Sequence, residues 1–150
     1  MRALVRVVWV DHPPSLSGWA ADGVRRVEAN LERIVRLAAA HHAAVWVVLY
    51  PDPQSLYVDA RWRDRLLLRF PRWFHEREAV VGAQPGNGGL AWRQPLLAWG
   101  RDRKVPTLDL WPLFLAQPDW PLLFRAGDVH WSAAGCDLVA HRLAAELAGR

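Results

Sequence analysis

The stretch Val45-Trp46-Val47-Val48-Leu49-Tyr50 decides the fold class, because an unbroken apolar run of this length predicts a strand buried on both faces. A nearly continuous apolar run with four valines, which also predicts a buried strand, extends from Leu4 to Val10. Between them, apolar residues recur at helical spacing from Val24 to Ala38, which predicts an amphipathic helix of about five turns ending around His41-His42. A strand, a helix and a strand with short connections form a βαβ unit, which implies a parallel sheet.

The remaining chain continues this alternation. Loops are predicted over residues 12–18, 51–57 and 82–89, a third strand over 105–110, helices over 90–100 and 133–148, and a short helical turn over 111–116. Ser132 is the predicted N-cap of the last helix, whose apolar side is expected to carry Val139, Leu143 and Leu147. Residues 60–78 are mixed and divided by Pro71. The sequence therefore predicts one α/β domain over residues 1–150, with a short, doubly wound parallel sheet between two helical layers.

Composition excludes several classes of protein. The chain has 150 residues, 52% of them hydrophobic, which is typical of one globular domain rather than a disordered chain. No apolar run approaches the length of a membrane span, and the N-terminus is interpreted as a strand rather than a signal peptide. Cys136 is the only cysteine, which excludes an internal disulfide and fits a cytoplasmic location. The net charge of +4 comes mainly from dispersed arginines, so no nucleic-acid partner is predicted.

The predicted sheet has few strands, and this bears on what covers its edge. Three strands are fewer than such a sheet usually has, and a valine-rich edge invites pairing with another strand. We therefore expect the chain to begin one or two strands into its fold, or its sheet edge to be covered by a second copy or a partner chain.

The chemistry of the chain is expected in the loop before the last helix. Catalytic groups in open α/β sheets lie beyond the carboxyl ends of the strands, where Asp11-His12, Pro51-Asp52-Pro53 and the loop at residues 127–135 are expected to gather. An Asp-x-His pair such as Asp128 and His130 can fix the imidazole tautomer and leave the other ring nitrogen as a base. In the structural alternative, Asp128 and Ser132 cap the last helix while His130 forms a local hydrogen bond.

The segment Asp128-Val129-His130-Trp131-Ser132-Ala133-Ala134-Gly135, followed by an Ala/Leu-rich helix, resembles the last sequence block of the SGNH (GDSL-like) hydrolase superfamily. The strand at residues 104–110 and the helix–strand segment at residues 24–50 are similar to that family's late strand and central βαβ unit. The Asp-x-His-Trp form, with Pro51 and Tyr57, is most similar to the alginate O-acetyltransferase-like branch. The resemblance implies that His130 is the general base and Asp128 its orienter. It also implies acyl transfer from an ester or acetylated carbohydrate through an acyl-enzyme, without a metal or organic cofactor.

Three departures from the family pattern concern the remaining catalytic groups. The Gly-Asp-Ser nucleophile segment is absent, and Gly127 stands where many members have the Asp. Asp11-His12 replaces the Gly-x-Asn-Asp block that supplies an oxyanion donor. Ser15 and Ser17 lie in a predicted loop, and Ser132 is too near His130 to act on its own. The nucleophile is therefore either outside this chain or not revealed by its sequence, and a non-catalytic binding or interaction domain of the same fold lineage is the alternative.

Arginines and aromatic residues interleave over residues 61–75. One interpretation is an interfacial or nucleic-acid-binding patch. We favour an amphipathic helix whose arginines are solvated and whose Trp62, Leu66 and Phe70 face the core, and in an enzyme this segment would form a wall of the substrate pocket. His41-His42 has no third ligand nearby, and residues 86–89 lack the ending of a phosphate loop, so neither predicts a binding site.

Overall fold

The computed structural model describes residues 3–8, 17–57, 59–72 and 90–149, and shows a mixed α/β protein that is mostly helical, with a parallel sheet. The strands are β1 (Ala3–Val8), β2 (Ala44–Leu49) and β3 (Thr107–Asp109). The helices are α1 (Ser17–Ala40), α2 (Pro53–Leu56), α3 (Arg63–Arg69), α4 (Leu90–Asp102), α5 (Trp111–Leu115) and α6 (Ala133–Ala148). None of the helices in these ranges combines the length and apolarity that crossing a membrane requires.

The chain forms two compact units, which are described separately. The first unit comprises Met1–Tyr50 and Gly89–Trp111, and the second comprises Pro51–Gly88 and Pro112–Arg150. The prediction of one domain over residues 1–150 stays a prediction.

The first unit is built around β2, which is the central strand of the order β1-β2-β3. Strand β1 pairs with it in parallel from Ala3 opposite Ala44 to Val8 opposite Leu49. Strand β3 pairs on its other side and is shorter than the predicted range 105–110, although backbone hydrogen bonds at Pro106 and Leu110 continue the ladder just beyond it. Residues 45–49 of β2 are all buried, which confirms the prediction of a strand buried on both faces.

Helices α1 and α4 lie against each other on one face of the sheet. The Glu32 carboxylate of α1 accepts hydrogen bonds from Trp99 Nε1 at 3.2 Å and Arg103 Nε at 2.7 Å. Consecutive parallel strands joined by crossovers of one hand place their helices on the same side. A doubly wound sheet needs a reversal in strand order, and the three described strands do not contain one. The doubly wound arrangement therefore stays a prediction about strands outside this set.

Both crossover helices end in the same way. His42 and Lys104 follow α1 and α4 with φ angles of 51° and 56°. The next residues, Ala43 and Val105, donate backbone hydrogen bonds of 2.8 Å back to Ala38 and Gly100 respectively. This is the Schellman pattern, in which a left-handed residue satisfies the last helical carbonyls and reverses the chain. The chain therefore passes directly from each helix into the segment that leads to the next strand. The prediction that α1 ends around His41-His42 is confirmed.

Two predicted loops are partly helical. Residues 12–18 were expected to be a loop, but α1 already begins at Ser17, because the first turn of a helix tolerates serine and glycine. Pro53–Leu56 form α2 within the predicted loop 51–57. The backbone N–H of Ser55 donates to Asp52 Oδ1 at 2.7 Å, and that of Asp52 donates to Ser55 Oγ at 3.1 Å, so a reciprocal cap supports this single turn. The predicted loop at 82–89 lies outside the described residues.

The second unit has an aromatic core centred on Phe124, which is fully buried. The centroid of its ring lies 5.5 Å from that of Phe114, 6.4 Å from that of Phe70 and 6.3 Å from that of Trp120. Leu66 and Phe70 are buried as predicted, while Trp62 is half-buried beneath the guanidinium groups of Arg61 and Arg65. Helix α3 ends at Arg69, before Pro71, because the residue preceding a proline is pushed out of the helical region.

Helix α6 packs closely against the segment that precedes it. Ser132 is its N-cap, as predicted, and Val139 is buried, but Leu147 is 43% exposed and does not belong to the apolar side expected for this helix. Gly135 is buried in the first turn, where a Cβ atom would lie 2.2 Å from the carbonyl oxygen of Leu123. Only glycine allows this approach of the helix to the backbone.

Gly135→Ala is expected to lower the free energy of unfolding by about 1–3 kcal/mol, because the Leu123 carbonyl or the helix has to move. Urea denaturation of the full chain measures the change. Gly149→Ala is the matched control, since its Cβ would meet nothing closer than 3.5 Å, and should change stability by less than about 0.5 kcal/mol. Equal stability of the two variants would contradict the close packing of α6.

Candidate functional site

The two predicted catalytic residues meet in the second unit. Nδ1 of His130 lies 2.6 Å from Oδ1 of Asp128, and the backbone N–H of His130 donates to the same oxygen at 3.2 Å. The His130 side chain is 76% exposed and that of Asp128 is 39% exposed. The carboxylate thus holds one ring nitrogen while the opposite side of the ring remains open to solvent.

The pair lies on a tight hairpin-like loop, residues 124–131, which we call the dyad loop. Its ends are joined by an antiparallel bridge between Phe124 and Trp131, and the backbone N–H of Arg125 donates to the carbonyl of His130 at 2.9 Å. The N–H of Asp128 donates to the carbonyl of Arg125 at 3.2 Å, which closes a four-residue turn. Gly127 occupies its third position with a φ of 72°, the conformation that a type II turn requires there and that glycine favours.

Arg69 of α3 holds the dyad loop at two points. Its guanidinium donates to the carbonyl of Phe124 through Nε at 3.2 Å and through Nη2. Its own carbonyl accepts the backbone N–H of Gly127 at 2.8 Å. These contacts fix the loop from outside, so the Asp128–His130 hydrogen bond is not needed to close it.

In the structural alternative, Asp128 and Ser132 both cap the last helix, and the structure shows this role for Ser132 only. The Oγ of Ser132 accepts the N–H of Gly135 at 3.3 Å and donates to the carbonyl of Leu122 at 2.8 Å, so Ser132 caps α6. Asp128 takes no part in this cap, because its carboxylate is directed to His130. The arrangement is that of a base and the group that orients it.

The environment keeps Asp128 ionised. The hydrogen bond from the His130 side chain, supported by the backbone N–H of His130, holds the pKa of the Asp128 carboxyl below its ordinary value. A carboxylate can only accept hydrogen bonds. In neutral His130 the proton therefore resides on Nδ1, and Nε2 carries the lone pair that a general base needs.

The serine hydroxyls that the structure describes are engaged in helix caps. Besides Ser132, Ser55 Oγ donates to the carbonyl of Asp52 at 2.9 Å within the α2 cap. Ser17 is the first residue of α1, with its side chain outside the described set, and Ser15 lies outside the described residues. Asp11-His12 also lies outside them, so their predicted gathering with the dyad loop stays a prediction. The described residues contain no cluster of three His, Cys, Asp or Glu suited to a metal ion.

The first unit contains an ion pair that the sequence does not predict. Arg93 of α4 binds Asp109 at the end of β3 in bidentate geometry, with Nη2–Oδ2 at 2.7 Å and both side chains less than 20% exposed. Its guanidinium also lies over the Trp111 ring at 5.1 Å. Asp109 accepts the backbone N–H of Trp111 at 3.1 Å and so begins α5. Asp109 lies in the predicted third strand, but nothing in the sequence pairs it with an arginine sixteen positions earlier.

The chain matches no protein-family model, and no curated protein or solved structure is significantly similar to it.

Asp128→Asn is expected to weaken the tautomer preference of His130, because an amide can present either an oxygen or an N–H₂ group to Nδ1. Long-range ¹⁵N–¹H NMR spectra at a pH where the ring is neutral measure the two tautomers. His141 is an internal control, since its Nδ1 lies 2.7 Å from the carbonyl of Asp137 and its signals should not change. A wild-type His130 that already carries its proton on Nε2 would refute the assigned geometry.

His130→Ala is expected to raise the pKa of the Asp128 carboxyl toward its ordinary value, because the His130 side chain is the largest cause of the lowering. A carboxyl whose pKa is lowered on folding stabilises the folded state above its unfolded pKa, and this contribution is lost as the pH falls through the folded value. The variant should therefore lose less stability on acidification. Carboxyl ¹³C titration checks the shift, and an unchanged Asp128 titration would show that the hydrogen bond is not formed.

Proposed function

We propose that this chain carries the base-and-orienter part of a serine-type ester hydrolase or O-acyltransferase of the SGNH kind. The observation that carries the proposal is the 2.6 Å contact between His130 Nδ1 and Asp128 Oδ1 on an open, externally fixed loop. The substrate is an ester or an acetylated carbohydrate, and no metal or organic cofactor takes part. The fold proposed with it is a flavodoxin-like, three-layer α/β/α sheet.

The strand order supports this fold. A flavodoxin-like sheet has the order 2-1-3-4-5, so its last three strands are consecutive neighbours. The order β1-β2-β3, with parallel pairing throughout, is that of such a trio. In this assignment, β1, β2 and β3 correspond to three neighbouring strands on one side of the strand-order reversal that makes the sheet doubly wound.

His130 and Asp128 have defined tasks in the proposed reaction. Nε2 of His130 removes the proton from a serine hydroxyl as its oxygen attacks the ester carbonyl, and Asp128 stabilises the imidazolium that forms. The imidazolium then gives this proton to the leaving alcohol oxygen as the ester C–O bond breaks, which leaves an acyl-serine. Water in a hydrolase, or an acceptor hydroxyl in a transferase, repeats the cycle and releases the acyl group.

The proposal predicts that the full-length protein hydrolyses p-nitrophenyl acetate. His130→Ala should lower kcat by about 100-fold or more, because a positioned general base contributes at least that much. His141→Ala is the matched control, since it removes an exposed histidine of α6 outside the dyad loop. If both variants are as fast as the wild type, the role assigned to His130 is wrong.

A second function is favoured by one observation. Both described serine hydroxyls with assigned contacts, those of Ser55 and Ser132, serve helix caps, which fits a non-catalytic binding domain of the same lineage. A fluorophosphonate reagent followed by peptide mass spectrometry separates the two functions. A phosphonylated serine that disappears in His130→Ala supports the hydrolase. Absence of both labelling and turnover would support the binding domain, which should then associate with itself or with another chain through the β1 edge.

A further inference from the structure

The second unit contains a surface recess of about 360 Å³ beside the dyad loop. Its lining consists of Arg65, Leu68, Arg69, Asp119, Pro121, Leu122 and Ala126. A volume of this size lies at the lower end of the range for small-molecule sites. Ala126 belongs to the dyad loop, and Arg69 binds that loop through Phe124 and Gly127. The recess is therefore connected to the loop that carries Asp128 and His130.

Four of the seven described residues that line the recess are apolar. Leu68 is 84% exposed and Leu122 is 55% exposed, which makes them two of the most exposed large hydrophobic side chains in the described part of the chain. Pro121 and Ala126 add further apolar surface. Burying two such leucines against an alkyl chain is favourable by the ordinary hydrophobic effect. The two leucines thus favour a ligand that has an apolar part.

The charges of the recess do not cancel. Arg65 forms an ion pair with Asp119, whose carboxylate oxygen lies 2.6 Å from its Nη1. Among the residues that the structure describes, Arg69 donates to the carbonyl of Phe124, and no carboxylate lies within ion-pair distance of it. A guanidinium has five N–H donors, so Arg69 retains donors beyond those used on this carbonyl. In the described part of the chain, one half-buried cation therefore lines this surface without a counter-charge, and its free N–H groups suit a bidentate carboxylate.

We propose that this recess binds a small carboxylate with an apolar chain, whose carboxylate meets Arg69 and whose chain lies on Leu68 and Leu122. A hydrolase of esters with longer acyl chains releases acids of this class, so the link to catalysis rests on the ester form of the proposed function. Binding itself does not depend on turnover. A protein that binds the acid without hydrolysing esters would support the recess and refute the enzyme, and the reverse result would do the opposite.

The probe is octanoate, which is titrated into the full chain at concentrations below those at which it forms micelles. Calorimetry and ¹H–¹⁵N NMR measure its binding. We expect saturable binding with shifts at the amides of Leu68, Leu122 and Ala126. Octanol and acetate, which supply the chain or the charge alone, should each bind at least about tenfold more weakly, since both elements contribute to affinity. Equal binding of octanol and octanoate would overturn the role of Arg69, and absence of saturable octanoate binding would overturn the site.

Leu68→Glu tests the location without touching the core, because this side chain is almost fully exposed. The variant removes apolar wall and adds a negative charge next to the carboxylate, so octanoate should bind at least about tenfold more weakly. Leu37→Glu is the matched control, since Leu37 is 62% exposed on α1 and does not line the recess. An equal effect of the two substitutions would show that octanoate associates non-specifically, which would overturn the proposal.

Discussion

Every backbone polar group that folding removes from water needs a hydrogen-bond partner, and both units are organised around this requirement. In the first unit, β2 uses both of its edges, one for β1 and one for β3. The helices that connect these strands end in left-handed residues, His42 and Lys104, whose following N–H groups return to the helical carbonyls. In the second unit, the carbonyl of the buried Phe124 accepts hydrogen bonds from a side chain of another element, Arg69.

The same requirement explains why the dyad loop is a good platform for a catalytic pair. Its closure depends on the Phe124–Trp131 bridge, the Arg125–His130 backbone bond and the contacts of Arg69. Phe124, at one end of the loop, is also fixed by its ring contacts with Phe70, Phe114 and Trp120. The closure of the loop therefore does not rest on the Asp128–His130 side-chain hydrogen bond, and this bond orients an exposed imidazole. A pair that existed only to cap α6 would not leave the capping to Ser132 alone.

Arg93 and Asp109 show how the first unit deals with charge near the end of a strand. Taking two charges out of water costs free energy that a single contact rarely recovers. Here the bidentate geometry, the Trp111 ring under the guanidinium and the N–H of Trp111 on the carboxylate all contribute to the compensation. In the recess of the second unit, the described residues give Arg69 a carbonyl partner and no carboxylate. This contrast between the two arginines is the physical reason for assigning an anionic ligand to the recess.

The sequence by itself determined the parallel β1-α1-β2 unit, the third strand, the short α5, the capped α6 and the meeting of Asp128 with His130. These features depend on hydrophobic periodicity and on residues within a few positions of each other, which the linear pattern records directly. The tertiary structure alone decided that α1 and α4 share one face, that Arg69 holds a loop fifty-five residues away, and that Arg93 pairs with Asp109. Helix α2 is different, because the reciprocal cap of Asp52 and Ser55 that supports it is local and the loop prediction missed it, whereas the other three features are long-range contacts. Long-range contacts of this kind depend on which surfaces meet after folding, and one sequence contains no local signal for that choice.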